Sequence, residues 1–177
     1  MHAFIRRIGL RFAINAAIQR GANSPVYEKG VTDGHKRAFR ELAKTWLVNL
    51  ENRYCACEYD EDRFFNEIIS FRDFLSNTHG QFLKNGVITI GRTQKMVSLY
   101  LKFLWLNGDV SKKPIFPVLD RKIIQNAGVR NPPNWTSLND ENELRRVYAE
   151  IGAFAQNAGF GSGSEWEAVE WTDEKEA

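Results

Sequence analysis

The chain has 177 residues, 43% of them hydrophobic and 26% charged, with a formal net charge of +2. That length suits one domain with a buried core, and no apolar run approaches the roughly 18 residues needed to cross a bilayer, which excludes a membrane-spanning helix. The small net charge hides an asymmetry: residues 1–135 carry 21 Lys and Arg against 12 Asp and Glu, and residues 136–177 carry 3 against 10.

Helical spacing dominates from the first residues. A first helix is predicted over 3–20, with Phe4, Ile8, Phe12, Ile14 and Ile18 near one side. Its arginines interrupt the apolar run, which speaks for an amphipathic helix and against a targeting segment. After a loop, Asp33 is placed to cap a second helix carrying Phe39, Leu42, Trp46, Leu47 and Leu50. Cys55 and Cys57 follow in "YCAC". One intervening residue is a poor disulfide spacing, and two thiolates cannot close a tetrahedral metal site without nearby acids or a histidine. They point to a reduced, cytoplasmic protein and are too few to ligate an iron–sulfur cluster.

A third helix is expected over 60–75, broken by "SNTHGQF", with a short helix over 81–85. "VITI" has strand character but is too short and isolated to build a sheet. A long helix then runs over 92–106. On its wheel Met96, Val97, Tyr100, Leu101, Phe103, Leu104 and Trp105 fill a broad apolar arc, and Lys95, Ser98 and Lys102 fall opposite, on a side that faces solvent or phosphate. After the loop "NGDVSKKPIFP" a helix is expected over 118–128, and another, capped by Ser137 or Asn139, through 158. A last helix over 165–171 leads to an acidic end expected to be solvated and frayed. The sum is an all-α, compact bundle of seven to eight helices in one domain, 1–177, with a hairpin region at 82–106 and acidic helices at 139–177.

The order "GVITIGRTQK…LYLKFLW" then "PVLDRKII" resembles the signature of helix-hairpin-helix DNA glycosylases. Gly86 and Gly91 bracket the hairpin, Lys95 stands in the first turn of the next helix, and Pro117-Val118-Leu119-Asp120 supplies an aspartate behind a proline. The resemblance covers residues 82–124. Gly91 and Lys95 are four apart, and Thr93 stands where the family's lysine is usual; two residues, rather than one, separate proline and aspartate. Small bacterial anti-phage members that excise modified bases are the nearest in pattern.

The resemblance implies a monomer that acts on double-stranded DNA, flips a modified base and cuts its glycosidic bond to leave an abasic site. Bulky bases such as glucosylated hydroxymethylcytosine of phage DNA are among the candidates. No metal, organic cofactor or membrane is implied. A glycine-rich turn in front of a helix offers backbone N–H groups to phosphate, so Gly86, Thr89, Gly91, Arg92 and Thr93, with Arg121 and Lys122 beside Asp120, are the expected DNA contacts. Asp120 either stabilises the sugar cation left by the departing base or only caps its helix; both roles are compatible. Lys95 is an active-site candidate, with a Schiff-base step if it attacks the sugar. Asn77, His79 and Gln81, just before the hairpin, are placed as base-pocket residues, with a satisfied loop histidine as the alternative. Trp135 and Trp166 read as core residues. A non-enzymatic DNA-binding protein using the hairpin alone is the other reading, and a helical RNase-like domain is a third without a supporting Arg-x4-His pattern.

Overall fold

In the computed structural model, which describes residues 2–18 and 24–172, the core is built around one helix, α4 (Ile90–Leu106). Every residue from 90 to 102 is buried. Helix α1 (His2–Ile18) is its main neighbour, and α3 (Glu61–His79) packs on another side. Helix α2 (Asp33–Ala56) bridges α1 and α3. Two tight 3-10 turns, Gly80–Phe82 and Lys84–Gly86, lead into α4. Beyond it come the loop 107–120, the short α5 (Arg121–Asn126), α6 (Glu141–Asn157) and α7 (Gly163–Thr172), the last two packed together. The molecule is all-α, with seven α-helices and no strand among the described residues. One apolar cluster runs from Leu10 on α1 to Trp166 on α7 and includes Trp135.

The ends of the helices follow side-chain chemistry. Thr32 Oγ1 accepts from His35 N, so the cap of α2 lies one residue before the expected Asp33. Asp60 Oδ1 accepts from Arg63 N at 2.7 Å to open α3. Asp140 caps α6 through Asn142 N at 2.8 Å, in place of the expected Ser137 or Asn139. Asn139 serves α4 instead, accepting from Ile90 N at 3.3 Å. These local oxygen-to-amide bonds fill orphan donors of the first turn.

Four expectations are corrected. Helix α3 runs on through "SNTH" to His79, because Phe71, Leu75 and His79 continue its buried face. "VITI" makes no strand; residues 87–89 are extended and end at the first turn of α4, and the isolated bridge among the described residues joins Tyr27 to Leu83. Helix α5 opens at Arg121, because Asp120 is its cap. On α1 the buried stripe is Leu10, Ala13, Ile14, Ala17 and Ile18, while Phe4, Ile8 and Phe12 are 57%, 47% and 44% exposed. Two alanines on the inward stripe let α1 approach α4 closely; bulk alone did not say which stripe would turn in. The expected end of the first helix at 19–20 and the last residues, 173–177, lie outside the described residues.

Candidate active site

The lysine and the aspartate separated by 25 positions meet. Lys95 Nζ stands 3.4 Å from Asp120 Oδ2, and both are almost wholly enclosed, at 2% and 7% exposure. Asp120 caps α5, its other oxygen, Oδ1, accepting from Ile123 N at 3.1 Å. A cation and a backbone N–H therefore both point at one carboxylate. The ring of Trp135 covers the ammonium, its centre 4.5 Å from Lys95 Nζ, a cation–π contact in a desolvated place.

The loop that delivers Asp120 is held at three successive residues. Val118 N donates to Glu167 Oε2 at 3.3 Å. Leu119 N donates to Gln94 Oε1 at 3.2 Å, and Gln94 Nε2 donates back to Leu119 O at 3.0 Å. Asp120 is then met by Lys95. The same Gln94 oxygen accepts from Tyr148 OH at 3.1 Å, and its Nε2 also donates to Gly91 O at 2.9 Å. Glu167 is neutralised by Lys102 Nζ at 2.6 Å. Helices α4, α6 and α7 thus converge on the segment 117–120 and fix its backbone, which places the carboxylate without reliance on loop packing alone.

Burial shapes the protonation of this shell. It pushes the Glu167 carboxyl above the usual range, and Lys102 opposes the shift. It pulls the Lys102 ammonium below its ordinary value, and Glu167 opposes that in turn. Each member is tolerable inside only because the other is present. Burial also raises Tyr148 strongly, so its hydroxyl stays a donor.

Two clefts lie on the surface nearby. One of about 400 Å³ is walled by Arg121, Gln125, Pro132, Pro133, Asn134 and Trp135. Trp135 is shared: it roofs Lys95 and walls this cleft. The larger cleft, about 530 Å³, is lined by Phe65, Phe116, Arg145 and Tyr148 among others. Neither cleft is lined by Lys95 or Asp120 themselves; the smaller one reaches the pair through Trp135 and through Arg121, next to Asp120 in the chain.

The expected phosphate contacts divide. Arg121 is exposed on the smaller cleft, and Lys122 is exposed with its Nζ donating to Glu170 O at 3.3 Å. Gly86 is exposed at φ 76°, where the chain turns before residue 87. The hairpin's far side is closed. Gly91 is buried, its N–H donates to Leu138 O at 2.9 Å, and a Cβ there would lie 1.8 Å from Trp135 O. Arg92, expected on a phosphate-facing side, is 3% exposed. It donates to Ala17 O and, at 2.6 Å, to Ser24 O. Thr93 is buried and donates to Ile90 O at 3.1 Å, and Thr89 Oγ1 donates to Thr136 O at 3.0 Å. The amides of residues 90–93 are all taken within the protein. An anion site needs open donors, so the first turn of α4 is a structural joint. The predicted outward face of α4 is likewise corrected: Lys95, Ser98 and Lys102 are buried because Asp120 and Glu167, from distant segments, cover them.

The three expected base-pocket residues do not act as a group. Asn77 and Gln81 are exposed. His79 is buried among Phe39 and Phe82, with His35 close by, and burial pulls its pKa below the ordinary value. This cluster shares no residue with the shell around Lys95 and Asp120. Gln94, Lys102, Tyr148 and Glu167 belong to that shell. The wheel read from sequence places Lys102 beside Lys95 on its outward side; the sequence does not single out the other three. The sequence signal for Gln94 is the polar run "RTQK" at the start of a helix that is otherwise core. Cys55 and Cys57 are free thiols, exposed and half-buried. Among the described residues no group of three His, Cys, Asp or Glu side chains comes together, and no helix is long and apolar enough to cross a membrane.

Against known protein families, curated proteins and solved structures, the chain finds no match. The reading of the site rests on its own geometry.

Proposed function

We propose that the chain is a DNA N-glycosylase that flips a modified base out of the helix and hydrolyses its glycosidic bond, with Asp120 as the catalytic carboxylate. The observation that carries this reading is the enclosed Lys95–Asp120 pair, set on a clamped loop next to the cleft walled by Arg121 and Trp135. The extruded nucleotide would enter that cleft, with Arg121 on its phosphate and Gln125 and Asn134 offering polar edges to the base. As the C1′–N bond breaks, positive charge builds on the sugar. A fixed carboxylate in a dry site stabilises that charge strongly because it need not reorganise. Water adds its hydroxide to C1′, and its proton leaves with the departing base. Lys95 lies behind Asp120 under the Trp135 ring, so its role is to hold the carboxylate, and water is the nucleophile. No Schiff base is formed.

The test is incubation of the protein with duplexes carrying oxidised, alkylated or glucosylated bases, then alkali to reveal abasic sites, with borohydride in a parallel set. Strand breaks on one duplex, without a trapped adduct, are expected. An adduct would assign Lys95 the nucleophilic role instead.

One observation favours a second reading, in which the protein binds DNA without cutting it. Both oxygens of Asp120 already have partners, Ile123 N and Lys95 Nζ, as in a purely structural ion pair. Retention of DNA with no abasic site on any duplex of the panel would establish that reading.

A further inference from the structure

The excess positive charge of the first 135 residues is unevenly spent. Lys102 and Lys113 are neutralised by Glu167 and Glu165 of α7, Arg53 by Glu67, and Arg6 by Glu51. Four further cations gather between α1 and α2. A groove of about 420 Å³ there has a floor of Leu10 and Ile14 and walls carrying Arg7, Arg11, Arg40 and Lys44. Its single carboxylate, Glu41, is exposed and pairs with Lys44 at 3.3 Å. The other three cations have no carboxylate on the groove. Arg40 donates to Lys36 O at 3.2 Å, and the Arg7 guanidinium lies 5.9 Å from the centre of the Phe4 ring.

Exposed apolar side chains lie on α1, outside the residues that line the groove. Phe4, Ile8 and Phe12 follow at every fourth residue on the outward face of α1 and are the exposed large hydrophobics of that helix. Arg7 and Arg11, also exposed, lie along the same helix between them. At a rise of about 1.5 Å per residue, the two arginines and the successive apolar residues each step by roughly 6 Å along the axis. Phe12 sets its ring edge-on to Phe103 of α4, whereas the Phe4 ring lies beside Arg7, which lines the groove. A row of cations in a concave trough with an exposed ring beside it matches an unpaired nucleic-acid strand: phosphates in the trough, a base laid on the ring.

We infer that the α1–α2 groove is a binding site for a single nucleic-acid strand, held by Arg7, Arg11, Arg40 and Lys44, with a base stacked on Phe4. It stands apart from the excision reading, since none of its residues belongs to the Lys95–Asp120 shell. A bilayer surface is the less fitting partner, because the cations line a concavity rather than a flat face.

The test uses the full chain and a short, mixed-sequence, fluorescein-labelled DNA strand, titrated at several salt concentrations. Four neutralised phosphates give a slope of log affinity against log salt of about −3 for a single strand. Arg11→Glu with Arg40→Glu should weaken binding about tenfold or more and roughly halve the slope. If the double reversal unfolds the chain by circular dichroism, Arg11→Gln with Arg40→Gln takes its place, with the same direction expected. Phe4→Ala should weaken binding by about fivefold or more at an unchanged salt slope. Lys29→Glu, an exposed site off the groove, should change affinity by less than about twofold. Unchanged affinity in the arginine variants, a duplex preferred without any effect of Phe4→Ala, or capture by phosphatidylglycerol vesicles but not by the strand would each overturn the inference.

Discussion

Lys95 and Asp120 show how much a single buried pair depends on its neighbours. The ammonium meets the Asp120 carboxylate and the Trp135 indole face, and the carboxylate meets that ammonium and the Ile123 N–H. Gly91 sits against the same wall, and its lack of a side chain is a packing requirement. In Gly91→Ala the new methyl would overlap the Trp135 carbonyl. The variant should lose about 3 kcal/mol of stability in urea unfolding, near the upper end of ordinary overpacking. Its Trp135 emission should also shift. An unchanged midpoint would mean that the 135–138 segment is free to move away. His79 gives a pH test. Burial holds it neutral, and its folded pKa lies below the ordinary 6.5. The unfolded chain therefore binds a proton more readily in acid, so stability is full above about pH 6.5 and falls as pH drops through the lowered value. His79→Phe, in a pocket already lined by Phe39 and Phe82, should flatten the loss of melting temperature between about pH 7 and 5. A slope identical to wild type would place the titration elsewhere.

At the scale of the helix, α4 carries a core position on every side of its first three turns, and charge is admitted where another element supplies the opposite sign. Lys102 and Glu167 are a case that can be separated. Lys102→Met leaves Glu167 buried with one backbone donor, Val118 N, and should cost about 3–5 kcal/mol. Lys102→Met with Glu167→Leu should recover most of that loss, since an apolar pair of similar size avoids desolvating two charges. A double variant no better than the single would show that Glu167 acts chiefly through Val118 N and the loop. The wheel of α4 made its apolar arc legible, and the order of helix, proline loop and aspartate singled out Lys95 and Asp120 as site candidates. Local periodicity could not report what would cover the polar side. Glu167 lies 65 positions from Lys102, and nothing in the α4 sequence names it. The same limit applies to α1, where two stripes each had helical spacing and the alanines on one decided which turned inward. It applies to Gly91 and Arg92, whose exposed-hairpin pattern was closed by Trp135, Leu138, Ala17 and Ser24.

Over the whole molecule, the acidic helices act as internal counterions. The expected solvated tail is in part a clamp. Glu165 meets Lys113, Glu167 meets Lys102, and Glu170 accepts from Asn126 Nδ2 at 2.6 Å. Helix α6 carries its own pairs, Arg145 with Glu141 at 2.9 Å and Arg146 with Glu150. The charge asymmetry of the sequence was legible, but its sum over residues 1–135 overstates the positive surface left for a partner. The remaining charge on the α1–α2 groove and at Arg121 sets an expectation for DNA in general. Affinity for an unmodified duplex should fall steeply as salt rises, because each neutralised phosphate releases counterions. A salt-independent affinity would show that these cations do not contact the backbone.

The central claim is that Asp120 supplies the negative charge on which base excision depends, and the most direct measurement compares wild type with Asp120→Asn on the duplex that the wild type cleaves. The amide keeps the size of the side chain and an oxygen for Ile123 N but leaves the buried Lys95 ammonium without its counter-charge, so the variant should be less stable, and the rates are compared where circular dichroism shows both proteins folded. The account predicts that the single-turnover excision rate falls by at least about a hundredfold, or roughly 2.7 kcal/mol of transition-state stabilisation. Excision by Asp120→Asn at the wild-type rate would contradict it.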